Sequence, residues 1–585
     1  MAKEAIDPIT RELIKNSLSS LIDEMALAMC HTAYSSVIRD IFDFCTGLVD
    51  DKGETIAEGL TNPSMSGVIP FVVRAVRKIW GDRIYPGDIF ICNDPYEGAT
   101  HLPDIYLVKP IFVDGEIVAF SGADAHELDV GGRVPGSNAC DNVDIYQEGL
   151  RMPPLKYYER GERNYSIYRI MEKNFRVSHI VLGDIEAKVA AVSIGDRRVQ
   201  ELAKKYGSWK TVRRYIDDLM DYSERMTRAA IRELPDGIYE FEDCMDDTGF
   251  TDDPIVFHLK LIIKGDEMTF DFTGTSPVRS PGSMWLPYSS AYAMALCGAR
   301  LFIDPSVPAN AGVYRPITVI APYGTAVNAS FPAGVAGRGA TLGRLFDTIQ
   351  GALAKVAPDR IPGAFTGVDY GLCTGGINEK GEMFVFTDFL MGSWGGRPWG
   401  DGHDATTALW SNYSNTPCEV IENEKPFRIE SYTFVPDTGG PGKYRGGLAI
   451  IKEYRCLVDN VTCQFRIDRA RFPAWGVQGG KPGTLAEAYL TTADGKRRRL
   501  KKEIFVLNKG DLITCILPGA GGWGNPYDRE IGKILRDVEK EIVGIEKAES
   551  DYGVVINRQT MQVDFEATQK LREEALKNTD EREGG

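Results

Sequence analysis

The chain has 585 residues, of which 43% are hydrophobic and 26% are charged, a composition typical of globular proteins. Its net charge of −16 argues against nucleic acid as a general partner, because phosphate binding needs a basic face. The chain has no run of about 18 apolar residues, which argues against a membrane span, and its eleven Cys without a CxxC pair indicate a cytoplasmic protein with reduced thiols.

The chain opens with a long helix and a hairpin. Asp7 and Pro8 are typical of an N-cap and a first helical position. Apolar residues then recur at helical spacing, and we expect the helix to end before Ser35. Two short strands follow, within residues 46–57, and they surround a turn at residues 50–53.

Asp43 lies between Phe42 and Phe44 at the start of the first strand. A carboxylate there is costly unless it is paired or bound to a metal. Two interpretations stay open: Asp43 pairs with Arg39, or it is a metal ligand, with Asp40 as the competing residue.

A second hairpin is predicted around the turn Asp114-Gly115, since β-branched and aromatic residues precede the turn and an apolar run follows it. If Val113 pairs with Glu116, Asp104 lies opposite Ala125. Asp104 and His126 then meet at the open end of the hairpin, because opposite residues of antiparallel strands lie about 5 Å apart.

Two of the six histidines, His101 and His126, fall in this region, and Asp104 follows His101 by three residues. Imidazole and carboxylate together suit a divalent metal such as Zn, Mn or Fe. The alternative is that these side chains only satisfy hydrogen bonds at the strand ends.

The rest of the chain divides by pattern. We predict an α+β, multi-domain protein with mixed sheets: a metal-binding region at 1–180, a helical segment at 181–235, a β-rich region with Gly-rich loops at 236–527 and a helical tail at 528–585.

Two Gly-rich strings within the β-rich region are candidate sites. The run at 337–341 precedes a helix and favours a plain helix start over an anion site, because it lacks a phosphate-loop Lys. The run at 391–404 contains Asp401, His403 and Asp404, and is either a functional loop or an ordered surface loop. Since GxxxxGK followed by Ser or Thr is absent, ATP chemistry is expected on another chain.

The string NDPYEGATHLPD at 93–104, the hairpin and AHELDVGG at 125–132 resemble the hydantoinase B/oxoprolinase family, and the resemblance extends over residues 7–572. It implies a metal on His101, Asp104 and His126. In that family an Asp-Phe-Ser or Asp-Phe-Cys step completes the set, which implies Asp43 as the fourth ligand. Asp129 would support the ligands from outside.

The resemblance also implies a function. The chain would be the B-type component of an ATP-dependent amidohydrolase that opens a small cyclic amide, with ATP and Mg on an A-type partner subunit of a hetero-oligomer. Two alternatives are a subunit of an ATP-dependent ketone carboxylase and a scaffold subunit with a structural metal.

Overall fold

In a computed structural model, residues 6–59, 62–279, 281–367 and 370–583 are described. Among them, the strands form four sheets of seven, four, four and five strands. Helices cover or connect these sheets, and one strand pair is parallel. The predicted α+β class with mixed sheets is therefore confirmed.

The N-terminal sheet carries the predicted hairpins. Its strands have the order β2-β1-β5-β4-β3-β6-β7 and pair antiparallel. They are β1 Phe44–Asp50, β2 Thr55–Glu58, β3 Ile89–Cys92, β4 Asp104–Val113, β5 Glu116–His126, β6 Leu155–Glu159 and β7 Glu162–Arg163. The helices of this part are α1 Pro8–Thr32, α2 Ser36–Arg39, α3 Pro63–Ser66, α4 Ile69–Trp80, α5 Tyr165–Asn174, α6 Ser178–Lys205 and α7 Trp209–Arg232.

Both faces of this sheet are covered, which explains why every residue of β1 is buried. Side chains alternate between the faces of a strand. Ile105 and Leu107 belong to the core cluster that contains α1 and α6, whereas Tyr106 and Val108 belong to the cluster that contains α4 on the opposite face. Asp104 shares the α4 face with Tyr106 by the same alternation.

The register of the β4–β5 hairpin corrects the sequence prediction by one residue. Val113 pairs with Glu116 as predicted, but a bulge near Ile111 inserts Val118 as an extra residue in β5. Asp104 consequently lies opposite His126 rather than Ala125.

Three further sheets lie in the described residues after α7. The second has the order β11-β10-β9-β8, the third β13-β12-β16-β19 and the fourth β14-β15-β20-β17-β18. Their strands are β8 Gly237–Met245, β9 Ile255–Lys264, β10 Glu267–Asp271, β11 Ile317–Ile320, β12 Tyr370–Ile377, β13 Met383–Leu390, β14 Phe427–Val435, β15 Ala449–Cys456, β16 Val461–Phe465, β17 Glu487–Thr491, β18 Arg497–Arg499, β19 Glu503–Leu507 and β20 Leu512–Ile516. The remaining helices are α8 Tyr288–Ala299, α9 Ala311–Tyr314, α10 Arg338–Val356, α11 Cys418–Glu424, α12 Ile531–Glu539, α13 Ile545–Tyr552 and α14 Phe565–Glu583.

The apolar core is continuous from Ile14 in α1 to Leu517 after β20, and residues 534–556 form a separate small cluster. Helix α10 packs on β8, β9 and α8 within the large core. The division into regions at 180, 235 and 527 stays a prediction. No helix of the described residues combines the length and the apolar character needed to cross a membrane.

The Gly-rich strings of the C-terminal half allow backbones to approach closely. A Cβ added at Gly519 would lie 1.7 Å from the carbonyl oxygen of Thr438, and one at Gly521 would lie 1.8 Å from that of Trp475. No larger residue fits these positions without moving backbone.

A buried ion pair joins the third and fourth sheets, and it yields a stability prediction. Lys452 Nζ in β15 lies 2.7 Å from Asp388 Oδ2 in β13, with both side chains fully buried. Lys452→Met should lower the free energy of unfolding by about 3–5 kcal/mol, because it leaves a buried carboxylate without its cation. Urea denaturation measures this loss.

The matched control is Lys496→Met. Lys496 Nζ lies the same 2.7 Å from Asp494, but the Lys496 side chain is 86% exposed. Water screens such a pair, so this variant should unfold like the parent protein. Equal losses in the two variants would contradict the importance of burial.

Candidate metal centre

His101, Asp104 and His126 meet at the open end of the β4–β5 hairpin. One donor atom from each lies within 4.8 Å of the other two, and all three side chains are buried. Asp104 Oδ2 lies 2.9 Å from His101 Nδ1, and Asp104 Oδ1 lies 3.2 Å from His126 Nδ1. The structure thus brings together three of the four residues that the sequence suggested as ligands.

Local backbone contacts explain this convergence. Asp104 N–H donates to His101 O across 3.1 Å, which closes the turn that precedes β4. Thr100 Oγ1 donates a short hydrogen bond to the Asp104 carboxylate. On the other strand, His126 N–H donates to Asp43 O across 3.1 Å, so the chain just before β1 adjoins the end of β5.

Asp43 lies beside this triad but outside the group of mutually close donor atoms. Its side chain is buried, and its Oδ1 accepts a hydrogen bond of 2.9 Å from Asn62 Nδ2. Arg39 instead pairs with Asp40 and Glu424. The interpretation that Asp43 pairs with Arg39 is therefore wrong, and Asp40 is occupied by that arginine.

Asp129 organises the loop after β5 and makes no direct contact with the triad among the described hydrogen bonds. Its carboxylate accepts from the N–H groups of Gly131, Gly136 and Arg176, and it pairs with the Arg176 guanidinium. The same loop continues to Asn138, whose Nδ2 lies 3.4 Å from His126 Nε2.

Arg338 also belongs to the centre, although the sequence favoured only a plain helix start at that position. It is the first residue of α10, it is buried, and its Nη2 donates to Asp104 Oδ2. The two residues are 234 positions apart, so no local pattern could connect them.

The family model for hydantoinase B/oxoprolinase matches residues 7–526. The chain belongs to this family. Membership confirms the resemblance that the NDPYEGATHLPD and AHELDVGG strings indicated.

Relatives match along almost the whole of this family member. The B component of a putative D-/L-hydantoinase from Pseudomonas sp. (strain NS671) is 35% identical, over 97% of this chain and 98% of its own. The crystal structure of ATP-dependent caprolactamase from Pseudomonas jessenii has a TM-score of 0.90 at 28% identity, over 97% of this chain and 100% of that one. Acetone carboxylase, in its nucleotide-free structure, also reaches a TM-score of 0.90, over 98% and 83% of the two chains, but at 18% identity it shows the fold alone.

Electrostatics prepare the triad of this hydantoinase B-type chain for a cation. Burial alone would raise the pKa of Asp104, but the charge of Arg338 and the two imidazoles outweigh it and hold that pKa well below its usual range. Burial, reinforced by Arg338, lowers the pKa of His101 to about 3. At neutral pH Asp104 is ionised and His101 is neutral, which are the protonation states that metal ligands need.

The donor set fits a divalent metal. His101 Nδ1 is buried 2.9 Å from Asp104 Oδ2, without the alignment of a well-formed hydrogen bond. Two imidazoles and a carboxylate at one buried point suit Zn, Mn or Fe. A cation bound there would be coordinated by the imidazole nitrogens and by the carboxylate.

The loop at 391–404 differs from this centre because its acidic side chains and its histidine contact arginine side chains of the same chain. Asp401 pairs with Arg529, and Asp404 pairs with Arg445. His403 Nε2 lies 2.8 Å from Arg397 Nη1. These contacts favour the ordered loop over a second site.

Substituting Asp43 tests whether it is a fourth ligand. Asp43→Asn should lower metal affinity at least about tenfold, because the carboxylate charge is lost while the shape is kept. Competition with a metal-chelating dye measures this affinity.

Burial raises the pKa of Asp43 to about 6, above its value in an unfolded chain, so the ionised form costs stability above pH 6. Metal-stripped Asp43→Asn should therefore be no less stable than the parent at pH 7.5.

Asp40→Asn is the matched control. It removes one of the two carboxylate partners of Arg39 and should leave metal affinity unchanged. Unchanged affinity in Asp43→Asn would exclude Asp43 as a ligand.

Proposed function

We propose that this chain is the metal-binding B-type component of an ATP-dependent amidohydrolase that opens a cyclic amide such as a hydantoin, oxoproline or a lactam like caprolactam. The buried triad carries the proposal, in a chain that is similar to the hydantoinase relative over 97% of its length. We assign His101, Asp104, His126 and Asp43 as ligands of Zn, Mn or Fe, with Asp129 as support through its loop.

A divalent ion in this site would supply Lewis acidity and would lower the pKa of a coordinated water. The chain's own residues hold the ligands in place: Thr100 fixes Asp104, and Asn138 adjoins His126. All three triad residues are buried, so an ion bound among them would be shielded from bulk water.

The proposal requires a second chain. An unstrained amide resists water at neutral pH, and phosphorylation of its oxygen would provide a leaving group. The sequence has no phosphate loop, so we assign ATP and Mg to an A-type partner in a cytoplasmic hetero-oligomer. The hydantoinase relative is named as one subunit of its enzyme, which supports a partner, and the ATP dependence of the caprolactamase supports the use of ATP.

Two alternatives keep the same centre. In a ketone carboxylase subunit the metal would face an enolate or a bicarbonate-derived group, and the fold shared with acetone carboxylase permits this interpretation. In a scaffold subunit the four protein ligands would close the shell of the ion, whereas the amidohydrolase requires an open position beside them for water or substrate. The similarity to the hydantoinase and caprolactamase chains favours the amidohydrolase.

ATP turnover distinguishes these functions. The chain alone should not hydrolyse ATP, and its complex with the A-type partner should do so when a hydantoin or a lactam is added. Replacing His101 by Ala in the complex should reduce this turnover at least about tenfold, since a ligand of the centre is lost.

The same complex with acetone plus bicarbonate is the comparison. Turnover with the ketone and none with cyclic amides would replace the amidohydrolase by the carboxylase. Robust ATP hydrolysis by the isolated chain would contradict the division of labour between two subunits.

A further inference from the structure

Arg338 is fixed beside the triad by the loop that precedes α10. Glu148 Oε1 accepts hydrogen bonds from Val335 N–H at 2.7 Å and from Ala336 N–H at 3.0 Å. Gly337 N–H donates to Ser283 O across 2.8 Å. Three consecutive backbone amides are thereby held by hydrogen bonds. They fix the backbone just before Arg338, whose guanidinium reaches the centre.

The guanidinium uses only part of its donor capacity there. Nη2 donates to Asp104 Oδ2, whereas the adjacent Nε is buried and has no hydrogen-bond partner among the described residues. Nε and Nη2 form one edge of the planar group, and two parallel donors on one edge match two oxygens of an oxyanion. Only one of the two donors on this edge of Arg338 makes a hydrogen bond among the described residues.

A divalent ion on Asp104 would weaken the interaction of that carboxylate with this edge of Arg338. Asp104 would share its charge between the ion and Arg338, and the two cations would face each other in a buried, weakly screened environment. An oxyanion that reaches both relieves their repulsion and fills the free position on Nε.

We propose that Arg338 binds the phosphoryl group of the activated substrate next to the metal centre. This inference rests on the proposed function, in which the partner phosphorylates the amide oxygen. Arg338 then acts as a binding residue for the phosphorylated substrate rather than only as a counter-ion of Asp104.

The test uses the full chain loaded with Mn²⁺ and inorganic phosphate as the probe. Paramagnetic broadening of the ³¹P signal reports phosphate close to the ion and gives its dissociation constant. Arg338→Gln should weaken phosphate binding about 10- to 100-fold, the usual value of a charge-assisted pair of hydrogen bonds. Arg338→Lys keeps the charge but loses the paired donors, so its phosphate affinity should lie between those of the parent and Arg338→Gln.

Metal content separates this inference from the proposed function. Arg338→Gln should retain Mn²⁺, because His101, Asp104 and His126 are unchanged. A parent chain without Mn²⁺ would overturn the metal centre itself, together with this inference. Loss of Mn²⁺ in Arg338→Gln alone would mean that Arg338 is structural and would overturn the inference.

Two comparisons complete the test. Arg213→Gln removes the same charge from another carboxylate pair, that with Asp50, and should leave phosphate affinity unchanged within about twofold. An equal loss in Arg213→Gln and Arg338→Gln would overturn the assignment. Acetate should bind more weakly than phosphate, and equal, Arg338-dependent binding of acetate would overturn the choice of a phosphoryl group.

Discussion

The candidate centre depends on one buried carboxylate. Asp104 is inaccessible to solvent, and its two oxygens contact Thr100, Arg338 and both histidines of the triad. A carboxylate in such a place is stable only when donors or cations surround it. The turn before β4, the end of β5 and the start of α10 are therefore joined at one side chain, although they come from distant parts of the sequence.

Local chemistry explains what the sequence could predict. The Asp114-Gly115 turn identified the hairpin, and counting the strand register from that turn put Asp104 near His126. The bulge at Val118 was not predictable, because no residue type there requires it, and it moved the register by one. Asp104 and His126 are still close together, because both lie at the same open end of the hairpin.

Residues that arrive through tertiary packing were missed or left open. Arg338 and Asn138 reach the triad from α10 and from the loop that Asp129 holds, and neither carries a local metal-binding pattern. The Gly residues around Arg338 indicated a helix start, which is correct, but the direction of its side chain depends on the packing of α10 against the second sheet. For Asp43 the sequence left two interpretations, and the pairing of Arg39 with Asp40 and Glu424 removed one of them.

X-ray absorption of the metal in the full chain reports whether His101, Asp104 and His126 bind one divalent ion. We expect one ion per chain, with the outer-shell scattering of two imidazoles in the parent protein. In His126→Ala, any ion that remains should show the scattering of one imidazole. A spectrum without imidazole scattering, or one that is the same in the parent, His101→Ala and His126→Ala, would mean that these residues do not bind the ion together.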